Sequence, residues 1–126
     1  MAAHAQAESP RECCGLLIGI AGHVVEARRA PNLSGDPNRF LLDPQAHVEA
    51  LRDARRRALQ VVGFYHSHPH SQAVPSPRDL ADALYPDHLH AIVSLLGDAV
   101  ETRVYRVRPD GYDEVPIAPL TPPALG

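Results

Sequence analysis

Three side chains with metal-binding chemistry fall close together in this sequence. They are His66 and His68 in His66-Ser67-His68-Pro69, and Asp79 in Ser76-Pro77-Arg78-Asp79. The histidines follow an apolar run, Val61-Val62-Gly63-Phe64, which reads as a strand. Alternate side chains of a strand share a face, so both imidazoles can address one point. Ten residues separate His68 from Asp79, and Pro69 and Pro75 among them let the chain fold back toward the strand end. Two imidazoles and one carboxylate leave a fourth tetrahedral position free for water, as in a catalytic rather than a structural zinc site. Upstream, Glu12 in Pro10-Arg11-Glu12-Cys13-Cys14-Gly15-Leu16-Leu17 can serve as the base that such a site needs. The combination reads as a zinc hydrolase.

Each of these residues also has a plainer explanation. Ser76-Pro77-Arg78-Asp79 has the form of a helix start: serine at the N-cap, proline at the first helical position, an acid at the third. The two readings are compatible. A helix N-terminus holds a carboxylate at a fixed place, with Ser76 one turn back facing the same cavity. Glu12 could be a charge before a strand, and Cys13 and Cys14 small buried hydrophobes. A thiol nucleophile, Cys14 with His66 or His68, leaves Asp79 and the histidine pair unexplained. His4, His23, His47, His70, His88 and His90 lack partners at ligand spacing and are assigned surface or packing roles. Neither a Gly-rich phosphate loop ending in lysine nor a Gly-x-Ser-x-Gly elbow occurs, so nucleotide binding and serine hydrolysis find no support.

The elements that must position these residues follow from periodicity and turn chemistry. Residues 2–9 read as a helix stopped by Pro10, residues 15–20 as a buried strand, and His23 to Ala30 as its partner across Ala21-Gly22. Residues 31–38 are a loop by their Pro, Asn, Ser, Gly and Asp content. A long helix is expected from Pro44 to Leu59, with Asp43 as N-cap and an apolar stripe of Val48, Leu51, Ala54 and Ala58. On its other side Glu49 and Asp53 can pair with Arg52, Arg56 and Arg57. Val61 to Tyr65 is a strand delivering His66 to its end, and Pro77 to about Leu84 a short helix. Residues 89–96 and 99–107 flank Gly97-Asp98 as a hairpin, and 112–117 add an edge strand. The expected architecture is α/β: a central mixed sheet flanked by helices, in one domain over residues 1–118, with a proline-rich, disordered tail over 119–126.

Composition narrows the function classes. With 126 residues, 44% hydrophobic and 21% charged, the chain suits a single core of an ordinary globular domain. A net charge of −3 gives no basic excess, and Arg55-Arg56-Arg57 decorates a helix end rather than a nucleic-acid surface. All 12 basic residues are arginine, a coding bias rather than a mechanism. Adjacent Cys13 and Cys14 close no useful loop, so no disulfide framework is expected. The N-terminus lacks a signal-peptide pattern, and the longest apolar stretch, Cys13 to Val25, is too short for a bilayer. A cytoplasmic protein without membrane or nucleic-acid partners is the expectation.

Glu12, then His66-Ser67-His68-Pro69, then Ser76-x-x-Asp79 together resemble the JAMM motif of the MPN+ metallopeptidases. The context resembles it too: Pro-x-Glu-x-Cys-Gly-Leu-Leu leading into a strand, a long helix, then Gly63-Phe64-Tyr65-His66-Ser67-His68-Pro69. The likeness covers roughly residues 4 to 107, all five motif positions in order. One departure is that the family often places a strand before the first helix, whereas this chain begins almost in that helix. The resemblance implies the MPN/JAB, cytidine-deaminase-like fold, with Zn2+ held by His66, His68 and Asp79. It also implies Glu12 as the residue activating water and Ser76 as the hydrogen-bond donor to the developing oxyanion. Family substrates are bonds after the C-terminal glycine pair of ubiquitin or ubiquitin-like proteins, and compact prokaryotic forms like this one process sulfur-carrier proteins. The alternative is a non-catalytic MPN-like binding module for a ubiquitin-like partner, which would not require Glu12 beside a full ligand set. A zinc deaminase is disfavoured, because its signature joins His-x-Glu to Pro-Cys-x-x-Cys and no Pro-Cys-x-x-Cys is present to accompany His47-Val48-Glu49.

Overall fold

The computed structural model describes residues 1–81, 85 and 87–117. The tail expected over 119–126 and the last turn of the helix expected over 77–84 lie outside them. In chain order the elements are α1 (Ala2–Glu8), β1 (Cys14–Ile20), β2 (His23–Ala30), α2 (Pro44–Arg56) and β3 (Gln60–His68). They are followed by α3 (Pro77–Ala81), β4 (Leu89–Ser94), β5 (Glu101–Arg108) and β6 (Gly111–Val115). The strands form one mixed sheet in the order β2-β1-β3-β4-β5-β6, in which only β3 and β4 run parallel among the described strands. The parallel pair needs a crossover, and the segment carrying α3 supplies it. The α/β expectation holds, with β2 and β6 at the sheet edges.

Both sheet faces are covered. On one, α2 packs Ala50 and Ala54 against Leu16, Ile18, Val61 and Phe64. Ala73 and Leu80, from the α3 segment, cover Ile92, Tyr105 and Val107. On the other, α1 sets Ala5 against Cys13, Leu17, Tyr65, Ala91 and Val93. Because both faces of β1 are covered, its run Cys14–Gly19 is buried throughout, as a run without alternation requires.

Two features of α2 differ from expectation. The packing stripe is Ala46, Ala50 and Ala54, while Val48 and Leu51 face outward at 40% and 47% exposure. Small alanines bring the helix close to the sheet, whose Leu16, Ile18 and Phe64 supply the volume, so side-chain size misled the phase. The helix also ends at Arg56 rather than Leu59, without a glycine. Ala58 adopts a left-handed φ of 57°. Leu59 N–H then donates to Ala54 O at 2.8 Å and Ala58 N–H to Arg55 O at 3.2 Å, a Schellman closure. It turns Leu59 into the core. Asp53 accepts from Arg56 and Arg57 as expected, and also from Arg28 of β2, whereas Glu49 accepts from Gln45.

The strand β3 is longer than expected and keeps both histidines inside the sheet. Ser67 and His68 still pair with Val93 and Ser94 of β4. The other strands fall within a few residues of their expected positions.

An L-residue at a left-handed φ costs roughly 1–2 kcal/mol, which glycine avoids. Ala58→Gly is therefore expected to raise stability by about 1 kcal/mol in urea denaturation. Destabilisation would show that the Ala58 methyl group has a packing role.

Candidate metal centre

The site is built from the pairing of β1 with β3. Cys14 lies opposite His66 in this antiparallel ladder, so continuing it two residues places Glu12 opposite His68. Directly opposed residues share a sheet face, which brings Glu12, His66 and His68 to the same side. Ser67, between the histidines, points the other way and is fully buried. Its hydroxyl accepts from Cys13 N–H at 2.8 Å, and its own N–H donates to Cys13 O at 3.1 Å. The ladder is thereby carried past the strand end to the residue beside Glu12.

Asp79 arrives from outside the sheet. The segment leading to it is tied down by successive carbonyls: Ser71 accepts from the Ser94 hydroxyl, Gln72 from His68 Nδ1–H, and Ala73 from the Tyr105 hydroxyl. The helix start is then a reciprocal capping box. Asp79 N–H donates to Ser76 Oγ at 3.0 Å, and Ser76 N–H donates to Asp79 Oδ2 at 2.9 Å.

Three atoms converge. Nε2 of His66 lies 3.0 Å from Nε2 of His68, and Asp79 Oδ2 lies 3.3 and 3.2 Å from them. Ligands about 2.0–2.1 Å from a tetrahedral ion stand about 3.3 Å apart, so this triangle fits one face of such a coordination shell. Because the Gln72 carbonyl takes the Nδ1–H of His68, Nε2 is the nitrogen that faces the cluster, and loss of its proton would free a lone pair for a metal ion. A Glu12 carboxylate oxygen lies within 4.8 Å of a nitrogen of each imidazole, so Glu12, His66 and His68 form a second set that could hold a metal ion. The donor set of nitrogen and carboxylate oxygen suits a divalent ion of zinc type.

Electrostatics distinguish the two carboxylates. Burial pushes the Glu12 carboxyl up, against the opposing pull of His66 and His68. Burial would raise Asp79 as well, but hydrogen bonds from His66 and His68 and from Ser76 N–H hold it far below the usual carboxylate range. Burial lowers His68, while its bonds to Asp79 and to Gln72 outweigh this and raise it.

All five expected residues thus meet in one place. Four contributors went unread in the sequence. Phe40 stacks on His66 with ring centroids 4.5 Å apart, Asn32 binds the backbone of Glu12, and Ser67 and Gln72 act as above. An isolated aromatic in the polar stretch 31–43 was the only signal for Phe40. Of the six histidines given packing or surface roles, His4 is buried against the Tyr65 hydroxyl at 2.8 Å, and His47, His88 and His90 ring Phe64. Cys13 and Cys14 are both buried and free, and burial raises both thiols, Cys14 to about 12, which removes the thiolate nucleophile.

Fold and donor set define a class: a mixed α/β domain presenting a candidate metal-binding cluster on one face of its sheet. The family described as prokaryotic homologs of the JAB domain matches residues 1–108, and the chain belongs to it. It is 37% identical over 93 residues to a desampylase of Haloferax volcanii, covering 71% of this chain and 67% of that protein. It is 32% identical over 120 residues to a CysO-cysteine peptidase of Mycobacterium tuberculosis, covering 93% and 82%. Two further relatives are matched over only 55% and 49% of their own lengths. A solution structure from Desulfitobacterium hafniense superposes with a TM-score of 0.81 at 32% identity, over 90% of this chain and 81% of that one. Among the described residues no helix is long and apolar enough to cross a membrane.

The pKa directions set a pH window for the metal-free cluster. A raised His68 stabilises fully below the ordinary histidine value and loses this as pH rises through its folded value. A lowered Asp79 stabilises above the ordinary carboxylate value and loses this as pH falls. Both contributions are complete only between about pH 4 and 6.5. The stability difference between metal-free wild type and Asp79→Asn should therefore be largest in that window. A difference independent of pH would contradict the coupling.

Proposed function

We propose that this chain is a zinc-dependent peptidase that hydrolyses the peptide or isopeptide bond after the C-terminal Gly-Gly of a ubiquitin-like or sulfur-carrier protein. The observation carrying this reading is the 3.0–3.3 Å triangle of His66, His68 and Asp79 with a Glu12 carboxylate oxygen within 4.8 Å of both imidazoles. Three ligands with an adjacent unligated carboxylate suit hydrolysis, whereas a docking surface requires neither. The names of the relatives, a desampylase and a CysO-cysteine peptidase, support the substrate class.

His66, His68 and Asp79 would hold the zinc ion, which, when bound, lowers the pKa of a coordinated water to about 7 and polarises the scissile carbonyl. Glu12, lifted by burial, takes the proton released as water attacks and delivers it to the departing amine nitrogen. Ser76 serves twice. Its oxygen accepts Asp79 N–H as the helix cap, which leaves its own proton to donate to the carbonyl oxygen as negative charge develops there. Phe40, on the face of His66, shields that ring from water.

The test is a Gly-Gly-ending ubiquitin-like protein fused to a short C-terminal extension. Wild type should cleave after the second glycine, stop with a chelator and recover with zinc. Glu12→Gln should keep the metal and lose about 10²–10⁴-fold in rate. Equal rates for the two would remove Glu12 from the chemistry. Absence of cleavage by zinc-loaded wild type would favour a binding module.

Ser76 separates cap from donor. Ser76→Asn retains a good helix cap but moves the donor, so it should remain stable and lose about 10²–10³-fold in kcat with KM little changed. A fast, stable Ser76→Asn protein would confine Ser76 to capping.

A further inference from the structure

The loop between β2 and α2 is organised by one side chain. Asn32 Nδ2 donates to Glu12 O at 2.8 Å and to Arg39 O at 3.1 Å, while Oδ1 accepts from Ser34 N–H at 3.0 Å and Leu41 N–H at 2.9 Å. Two carbonyls on the nitrogen and two N–H groups on the oxygen use both amide protons and both acceptor sites. The same loop returns a second bond to Glu12, whose N–H donates to Pro37 O at 3.0 Å. Both backbone groups of Glu12 are therefore held by the loop rather than by the sheet ladder, which begins at Cys14. The loop also carries Phe40 onto His66, and at its tip Asp36 meets Arg78 of α3 at 3.5 Å.

We propose that Asn32 is a positioning residue for the catalytic cluster. By closing the 33–41 loop and gripping the Glu12 carbonyl, it fixes the carboxylate of Glu12 and the Phe40 ring relative to His66 and His68. The inference rests on the peptidase reading for what the alignment is used for, and on geometry alone for the alignment itself. Glu12 stands outside regular pairing, so no ladder bond holds it if the loop opens. A displacement of about 1 Å at a proton-transferring group can cost about 10²-fold in rate.

Two variants split the role. Asn32→Ala removes all four bonds. Asn32→Asp keeps acceptors for Ser34 and Leu41 but faces the Glu12 and Arg39 carbonyls without a proton to give.

Amide hydrogen exchange on the metal-free protein reads the alignment without any substrate. In wild type the Ser34, Leu41 and Glu12 amides should be protected. In Asn32→Ala all three should exchange about tenfold faster or more, while β3 and β4 amides stay unchanged. In Asn32→Asp, Ser34 and Leu41 should remain protected, while the Glu12 N–H bond to Pro37 O, no longer backed by the Asn32 bond to Glu12 O, opens more often and the Glu12 amide exchanges faster. In zinc-loaded protein acting on the Gly-Gly-extended substrate, both variants should lose about 10–100-fold in kcat, with KM within threefold and zinc affinity unchanged.

Unprotected Ser34 and Leu41 amides in wild type would overturn the proposal even if neither variant folded. Glu12 exchange unaltered in a folded Asn32→Asp would also overturn it. So would kcat within twofold of wild type for both variants. Failure of wild type to cleave any such substrate would instead remove the peptidase reading, while the exchange data would still decide whether Asn32 holds Glu12.

Discussion

The arrangement depends on the register of β1 against β3. Side chains alternate faces along a strand, so a slip of one residue would carry Glu12 to the opposite side from His66 and His68. The register is locked on the face that performs no chemistry. Ser67 and Cys13 exchange two hydrogen bonds there, and Tyr65 lies over Gly15 so closely that a β-carbon would sit 2.2 Å from the ring. The Tyr65 hydroxyl is in turn bonded to His4, which joins α1 to the same lock. One face of β3 thus fixes where the strand lies, and the other presents His66 and His68, with Glu12 beside them, at the spacing that results.

The second contribution is an acid brought to that face from outside the sheet. Asp79 would be a poor guest in a buried place, since desolvation opposes its charge. The imidazoles and Ser76 N–H compensate for that cost. Glu12 receives less compensation and keeps a raised pKa. Two carboxylates beside the same histidine pair are thereby shifted in opposite directions by their surroundings, which is what the proposed division between ligation and proton transfer would use.

Much of this was legible in the sequence because the motif is compact and its logic local. His-x-His on a strand means a shared face, and Ser-Pro-x-Asp means a helix start, whatever the rest of the chain does. The element order and the hairpin turn at Gly97-Asp98 followed from ordinary patterning, and β4 and β5 do pair across it. The phase of α2 was not legible, since tertiary packing chose an alanine face over Val48 and Leu51. Its end at Ala58 was hidden because a non-glycine residue took the left-handed position. Asn32 was hidden for another reason. In sequence it is one polar residue in a turn-rich stretch, and its value comes from Glu12, Ser34, Arg39 and Leu41 meeting around it in space.

The central claim is a division of labour between two carboxylates, and coordination geometry tests it most directly. Diffraction from zinc-loaded crystals at the zinc absorption edge should place one ion about 2.0–2.2 Å from Nε2 of His66, Nε2 of His68 and Oδ2 of Asp79, with water in the fourth position and Glu12 bonded to that water. An ion ligated by Glu12, with Asp79 left to its helix cap, would contradict the account.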